Sequence, residues 1–276
     1  MSQPLRVLAP PTWSAPAGLR QLTRVFSYWD LLVTLSCHRI NVRYKQSLLG
    51  GLWAILQPVA MMVVFTAVFS RLVKVPSDGV PYALFAYSGL LPWTFFSGAV
   101  SSATSSMVSN SSLITKVYFP RELLPISYVV ASAVDLFIGS TVLLSLAIWY
   151  RVPLTRSLVM VVPIVILIGT FALSCSLVLS AIHVRFRDVG MALPIGLQLL
   201  MFASPVLYSF DVIPPAWRAI YLLNPLAGLI DAFRRSVLGL PVLVPELVTA
   251  SLVTAVALPF CYILFKHAEA TMADVV

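Results

Sequence analysis

Residues 158–182 read LVMVVPIVILIGTFALSCSLVLSAI, 25 residues without one charged or amide side chain. A helix needs about 20 apolar residues to cross the hydrocarbon of a bilayer, so this stretch reads as a membrane span. The whole chain shares its character. Of its 276 residues, 59% are hydrophobic and 10% are charged, against roughly 45–50% and 25% in soluble domains. In water so little charge cannot cover so much apolar surface. The chain is expected to be an all-α, polytopic integral membrane protein. That excludes most soluble enzyme classes and leaves no room for a second large soluble domain.

The charged turns RVPLTR (151–156) and HVRFRD (183–188) bound this span. Upstream, spans are expected over about 49–69, 82–100 and 122–150. Downstream they are expected over about 189–208, broken by Pro194 and Pro205, and over 244–265, which makes six. Residues 28–47 show a helical stripe of Trp29, Val33, Cys37, Ile40 and Tyr44 with Arg39, Arg43 and Lys45 at the end, the pattern of a helix lying in the membrane interface. Residues 110–121 (NSSLITKVYFPR) form a short amphipathic segment between spans. Residues 210–240 read as two short helices. The second opens on Asn224-Pro225, an N-cap followed by proline in the first turn, and stops at Gly239. At about 14 residues, or ~21 Å, it is too short to span and reads as re-entrant or interfacial. The division is then a Pro-rich, irregular cytoplasmic tail (1–27), an interface helix (28–47) and a six-span transmembrane domain (48–276).

The net charge is +8. In a soluble protein that would suggest nucleic acid. Beside membrane spans it sets orientation instead, and no nucleic-acid partner is expected. With a cytoplasmic N-terminus and six spans, Arg6, Arg20, Arg24, Arg39, Arg43, Lys45, Lys116, Arg121, Arg185, Arg187 and Lys266 fall inside, the majority of the 18 basic residues. Both termini are therefore expected to be cytoplasmic. The first long apolar run begins near Leu48 without the pattern of a cleavable signal peptide. No G-x-x-x-x-G-K-[ST], H-E-x-x-H or G-x-S-x-G motif occurs, so no nucleotide-phosphate loop and no catalytic residue are expected in this chain. His38, His183 and His267 lie at expected span ends, and Cys37, Cys175 and Cys261 lack metal spacing, so no metal site is expected.

Asp135 is the one acid deep inside a span. Burying it charged costs several kcal/mol, which makes it a functional candidate; a helix-packing contact with Ser127, Ser132 or Ser140 is the competing reading. Two stripes mix aromatic and amide groups at helical spacing: Trp53, Gln57, Met61, Phe65 and Phe69 in the first span, and Pro194, Gln198, Phe202 (or Met201), Pro205 and Tyr208 in the fifth. Aromatic faces stack on sugar C–H faces and amides bond sugar hydroxyls, so these residues are candidates for the wall of a glycan channel. Packing or lipid contact is the alternative.

Several motifs together resemble the membrane subunit of an ABC-2 type exporter of O-antigen and related cell-surface polysaccharides. They are VRYKQSLLG (42–50) with LWAILQP (52–58), VPSDGVPY (75–82), GLLPWTFF (89–96), LITKVYFPR (113–121), VRFRDV (184–189), SPV (204–206) and LNPL (223–226). The resemblance implies a channel-forming half of a homodimer in the bacterial inner membrane. It would be driven by two copies of a separate ATPase subunit that holds ATP and Mg, and would export a lipid-linked glycan. It further implies that Asn110, Leu113, Ile114, Lys116 and Tyr118 belong to a cytoplasmic coupling helix. Trp217, Asn224, Pro225, Phe233, Arg234 and Arg235 would belong to a pair of periplasmic gate helices, and the first and fifth spans would line the channel. Another ABC-2 cargo (capsule, teichoic acid, lipid or drug) and a membrane enzyme or passive channel are the alternatives.

Overall fold

The computed structural model describes residues 28–45, 48–73, 76–77, 79–117, 119–153 and 155–272. The tail expected at 1–27, the end of the interface helix at 46–47, and Tyr118 lie outside the described residues.

Every described regular element is helical. Helix α1 spans Trp29–Lys45. Helix α2 spans Trp53–Phe65, preceded by a 3₁₀ turn at Gly50–Leu52 and continued by a π-helical stretch at Thr66–Val73. Next come α3 (Tyr82–Thr104), α4 (Ser106–Ser109), α5 (Ser111–Lys116), α6 (Leu123–Trp149) and α7 (Val161–Arg185), the last entered through a 3₁₀ turn at Arg156–Met160. The chain ends with α8 (Val189–Phe202), α9 (Pro215–Tyr221), α10 (Pro225–Leu238) and α11 (Val244–Met272).

Five stretches are long and apolar enough to cross a membrane: Gly50–Ser70, Tyr82–Thr104, Leu123–Trp149, Arg156–Arg185 and Val244–Glu269. They coincide with the expected first to fourth and sixth spans. The expected fifth, 189–208, differs. Its helix stops at Phe202 after 14 residues, and Ala203 to Ser209 leave the helical path ahead of the 3₁₀ turn Phe210–Val212. Pro205 supplies the reason, since it cannot donate to the helix and disfavours helical geometry at Ser204.

Helix α3 is the hub. It is the least apolar of the five stretches, yet 78% of it is buried, against 11–33% for the others. In lipid the most apolar faces need no protein cover, while a helix carrying Ser, Thr, Gly and Tyr does better among other helices. The main core joins Phe85, Leu90, Leu91 and Phe96 of α3 to Ile164 and Ile168 of α7 and to Leu229 and Phe233 of α10. A second core at one end joins Leu32, Met107, Phe119, Leu123, Leu177, Tyr262 and Phe265. It gathers the start of α1, α4, the start of α6 and the last turns of α7 and α11 at a single end of the bundle.

Two expectations change in detail. Helix α1 packs along the first half of α6. Its buried residues are Leu32, Leu35 and Ser36, while Trp29, Val33 and Cys37 of the expected stripe point outward. The stripe therefore divides: its first three residues lie on the exposed side of α1, while Tyr44 at its end turns inward to Asp135. Helix α10 is buried almost along its whole length, against α3, α7 and α11. A Cβ at Gly228 would meet the Glu246 carbonyl oxygen at 2.8 Å, so glycine there permits close approach of α10 to α11. Its cap is as expected: the Asn224 side chain accepts from the Leu226 amide at 3.1 Å, and Gly239 ends the helix at φ +70°.

Candidate functional site

A cleft of about 560 Å³ opens between α1, α2, α3 and α6. Helix α3 contributes Ser97 and Ser101, one per turn, together with Thr94, Gly98 and Ser102, and Ser105 just after its end continues the row. The Thr94 hydroxyl donates to the Leu91 carbonyl at 2.9 Å, so its lone pairs remain for an outside donor. Helix α2 contributes Trp53 and Gln57, both exposed. Helix α6 contributes Ser132, buried and with no hydrogen-bond partner for its hydroxyl among the described residues, and Asp135. The Asp135 carboxylate is held from α1: Arg43 donates to one oxygen and Tyr44 to the other. Burial, and then the Asp135 carboxylate it faces, push the Tyr44 hydroxyl up to about 12, so it stays a donor at neutral pH. A ring face, an amide, several hydroxyls, a carboxylate and a guanidinium are the groups that recognise a polyhydroxyl ligand. Of these, the sequence reading found Trp53 and Gln57 and singled out Asp135; it missed the serine face of α3. The run SSATSS at 101–106 was its signal in the sequence.

The other members of the two stripes lie elsewhere. Phe65 and Phe69 sit 5.9 Å apart, Phe69 stacks on Tyr82 at 6.3 Å, and Tyr82 leans on Phe85 at 5.8 Å. They form a packing ladder from α2 to α3. Gln198 and Phe202 are exposed on α8, and no residue of α8 lines the cleft. The Tyr208 hydroxyl donates to the Phe202 carbonyl at 2.8 Å and pairs with the Tyr221 hydroxyl.

At the opposite end the break after α8 is held by α10. Arg234 is fully buried. Its guanidinium donates to the carbonyls of Pro205 (2.8 Å), Val206 (2.6 Å) and Tyr208 (3.2 Å) and lies 4.0 Å from the centre of the Phe85 ring. These carbonyls lost their helical partners where α8 stops, and a planar five-donor fork suits them. Asn224 donates to the Ser204 hydroxyl at 2.9 Å while capping α10. Gly89 of α3 makes room, for a Cβ there would overlap the Arg234 guanidinium and the Val206 carbonyl. Arg235 bridges Asp231 at 2.7 Å and Asp211 at 2.9 Å. Burial raises the Asp231 carboxyl above the ordinary range despite Arg234 and Arg235 beside it. Among the expected gate residues Trp217 is exposed, whereas Pro225, Phe233, Arg234 and Arg235 are internal.

The pattern of the family described as ABC-2 type transporter matches residues 30–238. This chain belongs to the ABC-2 transporter family. It is 33% identical over 219 residues to the O-antigen export system permease protein RfbA of Myxococcus xanthus, covering 78% of this chain and 83% of the relative. It is 30% identical over 208 residues to a protein of the same name from Klebsiella pneumoniae, covering 75% and 79%. It is 26% identical over 212 residues to the polysialic acid transport protein KpsM of Escherichia coli, covering 74% and 80%.

The stretch of this ABC-2 chain expected to couple, residues 110–121, contains α5 and follows directly on α4. Asn110, between them, is buried. It donates to the Ser106 carbonyl at 2.6 Å and the Tyr128 hydroxyl at 3.3 Å and accepts from Arg39. Leu113 and Ile114 are half-buried against the second core, and Lys116 and Val117 are exposed. Glu122 accepts from Lys266 at 2.7 Å and from Tyr262 at 3.1 Å, and Arg121 donates to the Glu269 carbonyl at 3.1 Å. This network ties the start of α6 to the end of α11.

Proposed function

We propose that the chain is the transmembrane subunit of an exporter that moves a lipid-linked, O-antigen-like polysaccharide across the bacterial inner membrane. It works as a homodimer of six-span protomers with cytoplasmic termini, and two copies of a separate ATPase subunit supply ATP and Mg. The sixth crossing is made by α8 and the segment after it. The reading rests above all on the similarity to permeases named for O-antigen export over about three quarters of the chain. The cleft supports it. Each sugar hydroxyl left unpaired in hydrocarbon costs roughly 4–8 kcal/mol, and the serine face of α3 with Trp53 and Gln57 offers acceptors and a ring face in their place. In the homodimer, Gln198, Phe202 and Tyr208 of α8 and its continuation complete the conduit, and Phe65 and Phe69 set the tilt of α2 from behind. The α4–α5 segment docks on the ATPase through Lys116 and Val117, with Asn110, Leu113 and Ile114 as its internal support. Helices α9 and α10 close the outer end, with Trp217 facing outward.

Deletion in the native host, with sugar analysis of the lipid-linked glycan, tests this. Accumulation of undelivered glycan on the cytoplasmic side is expected; normal surface polysaccharide in the deletion strain overturns the reading. The similarity to a protein named for polysialic acid transport favours a second reading, an ABC-2 permease for another cargo such as an acidic capsule chain. The same analysis separates the two.

A further inference from the structure

The inward face of α1 carries two anchors about one helical turn apart. At the first, Arg39 donates to the Asn110 side chain and lies over the Tyr128 ring, 4.7 Å from its centre. At the second, Arg43 and Tyr44 take both oxygens of Asp135. Asn110 opens α5, and Asp135 lines the cleft. A single rigid turn of helix therefore joins the coupling segment to the wall of the cleft.

We propose that α1 carries the mechanical signal between the two, with Arg39, Arg43, Tyr44 and Asp135 as positioning residues for export. The proposal rests on the reading that α5 meets a separate ATPase. Asp135 in a span cannot be left unpaired cheaply, so α1 and α6 hold one relative position while the pair is intact. A sugar hydroxyl entering the cleft competes with Arg43 and Tyr44 for the same carboxylate. Whatever loosens α1 at Asp135 changes the hold of Arg39 on Asn110, and by linkage the converse follows. The cargo class is a polyhydroxyl chain, and the signal is the position of α1.

The test uses the complex of this chain with its ATPase in vesicles, measuring glycan exported, ATP hydrolysed and folded complex recovered. Arg43→Asp and Asp135→Arg are each expected to lower export per ATP about tenfold, and the doubly reversed pair to return to within about threefold of the parent. A parental ratio in either single variant, or a double variant no better than the singles, overturns the proposal. So does a lower yield of complex at an unchanged ratio, which is the signature of a purely structural contact. Where reversal prevents insertion, Arg43→Gln and Asp135→Asn remove the charges and keep a hydrogen-bonding end; the same fall is expected of them, and a parental ratio overturns the proposal. If the parental complex exports no glycan, the functional reading fails by itself. The α1 link is then judged on ATP hydrolysis, which the single reversals are expected to change and the double reversal to restore.

Discussion

Helices α3 and α7 are neighbours with opposite habits. Helix α3 is the least apolar span and is 78% buried; the span that contains α7 is the most apolar and is 22% buried. In a water-soluble bundle the order would be reversed. Here the solvent on the outside is hydrocarbon, so Ile166 and Val162 of α7 lie exposed without cost, while Ser88, Thr104 and Gly89 of α3 are enclosed by protein. What a span does is therefore read better from its departures from hydrophobicity than from its length. The polar side of α3 divides into two functions. Toward the α10 end it receives Arg234 at Gly89, and toward the α4 end it opens as the serine wall of the cleft.

The largest expected effect would break the Arg234 junction. Arg234→Met leaves the carbonyls of Pro205, Val206 and Tyr208 without this donor, at about 1–3 kcal/mol for each buried group left unpaired. The expected result is severe loss of folded protein, measured as thermal stability in detergent. Arg234→Lys, a point charge in place of a planar fork, is expected to fall between. Next is Gly89→Ala. Its methyl would overlap a backbone carbonyl as well as a side chain, and overpacking of this kind costs about 1–3 kcal/mol. Gly98→Ala on the same helix meets open space and gains helix propensity of up to about 1 kcal/mol. Equal stability of the two glycine variants would contradict the account of α3 as a helix with one crowded and one open stretch.

Much of this arrangement was legible in the sequence. Long apolar runs located five spans, because length and the absence of charge are local properties. The Asn224-Pro225 and Gly239 signals bounded α10 correctly, because capping is local as well. Three things were not legible. The burial of α10 depends on Gly228 meeting α11, a contact between residues far apart in the chain. Arg234 read as a charge at the outer boundary, since its carbonyl acceptors arise only where α8 stops. The aromatic stripes allowed a wall or a packing face alike, and only the fold divides them: four-residue spacing drifts around a helix of 3.6 residues per turn, so Trp53 and Gln57 reach the cleft while Phe65 and Phe69 turn toward Tyr82. Asp135 was singled out correctly as exceptional, yet its partners come from α1, which no local pattern shows.

The split within α2 gives a smaller and more pointed pair of tests. Phe69→Ala removes the stack on Tyr82, and with it about 0.5–1.5 kcal/mol of aromatic contact beyond the buried area. It is expected to lower thermal stability, with any fall in export following the amount of folded protein. Trp53→Ala, at a half-exposed ring on the cleft, is expected to leave stability within about 0.5 kcal/mol and to slow export per folded molecule. The same phenotype from both would mean that α2 presents one continuous surface.

The smallest effect is expected at Gln198. Its amide stands on an exposed face of α8 beside Ile195, Leu199 and Phe202. An amide facing lipid would have no water to bond and would be a liability; an amide facing a watery conduit in the assembled dimer would be satisfied and useful. Gln198→Leu distinguishes these environments. Facing lipid, it should raise stability slightly and leave export unchanged. Facing the conduit, it removes a donor and an acceptor from the passing glycan, a contact worth about 0.5–1.5 kcal/mol, or roughly a two- to tenfold change in rate. The expected outcome is the second: folded protein at the parental amount, with export a few-fold slower in the vesicle assay. Ile166→Leu on the lipid face of α7 serves as the matched control and should change neither. Parental export from Gln198→Leu would take α8 out of the wall and leave the serine face of α3, with Trp53 and Gln57, as the conduit surface.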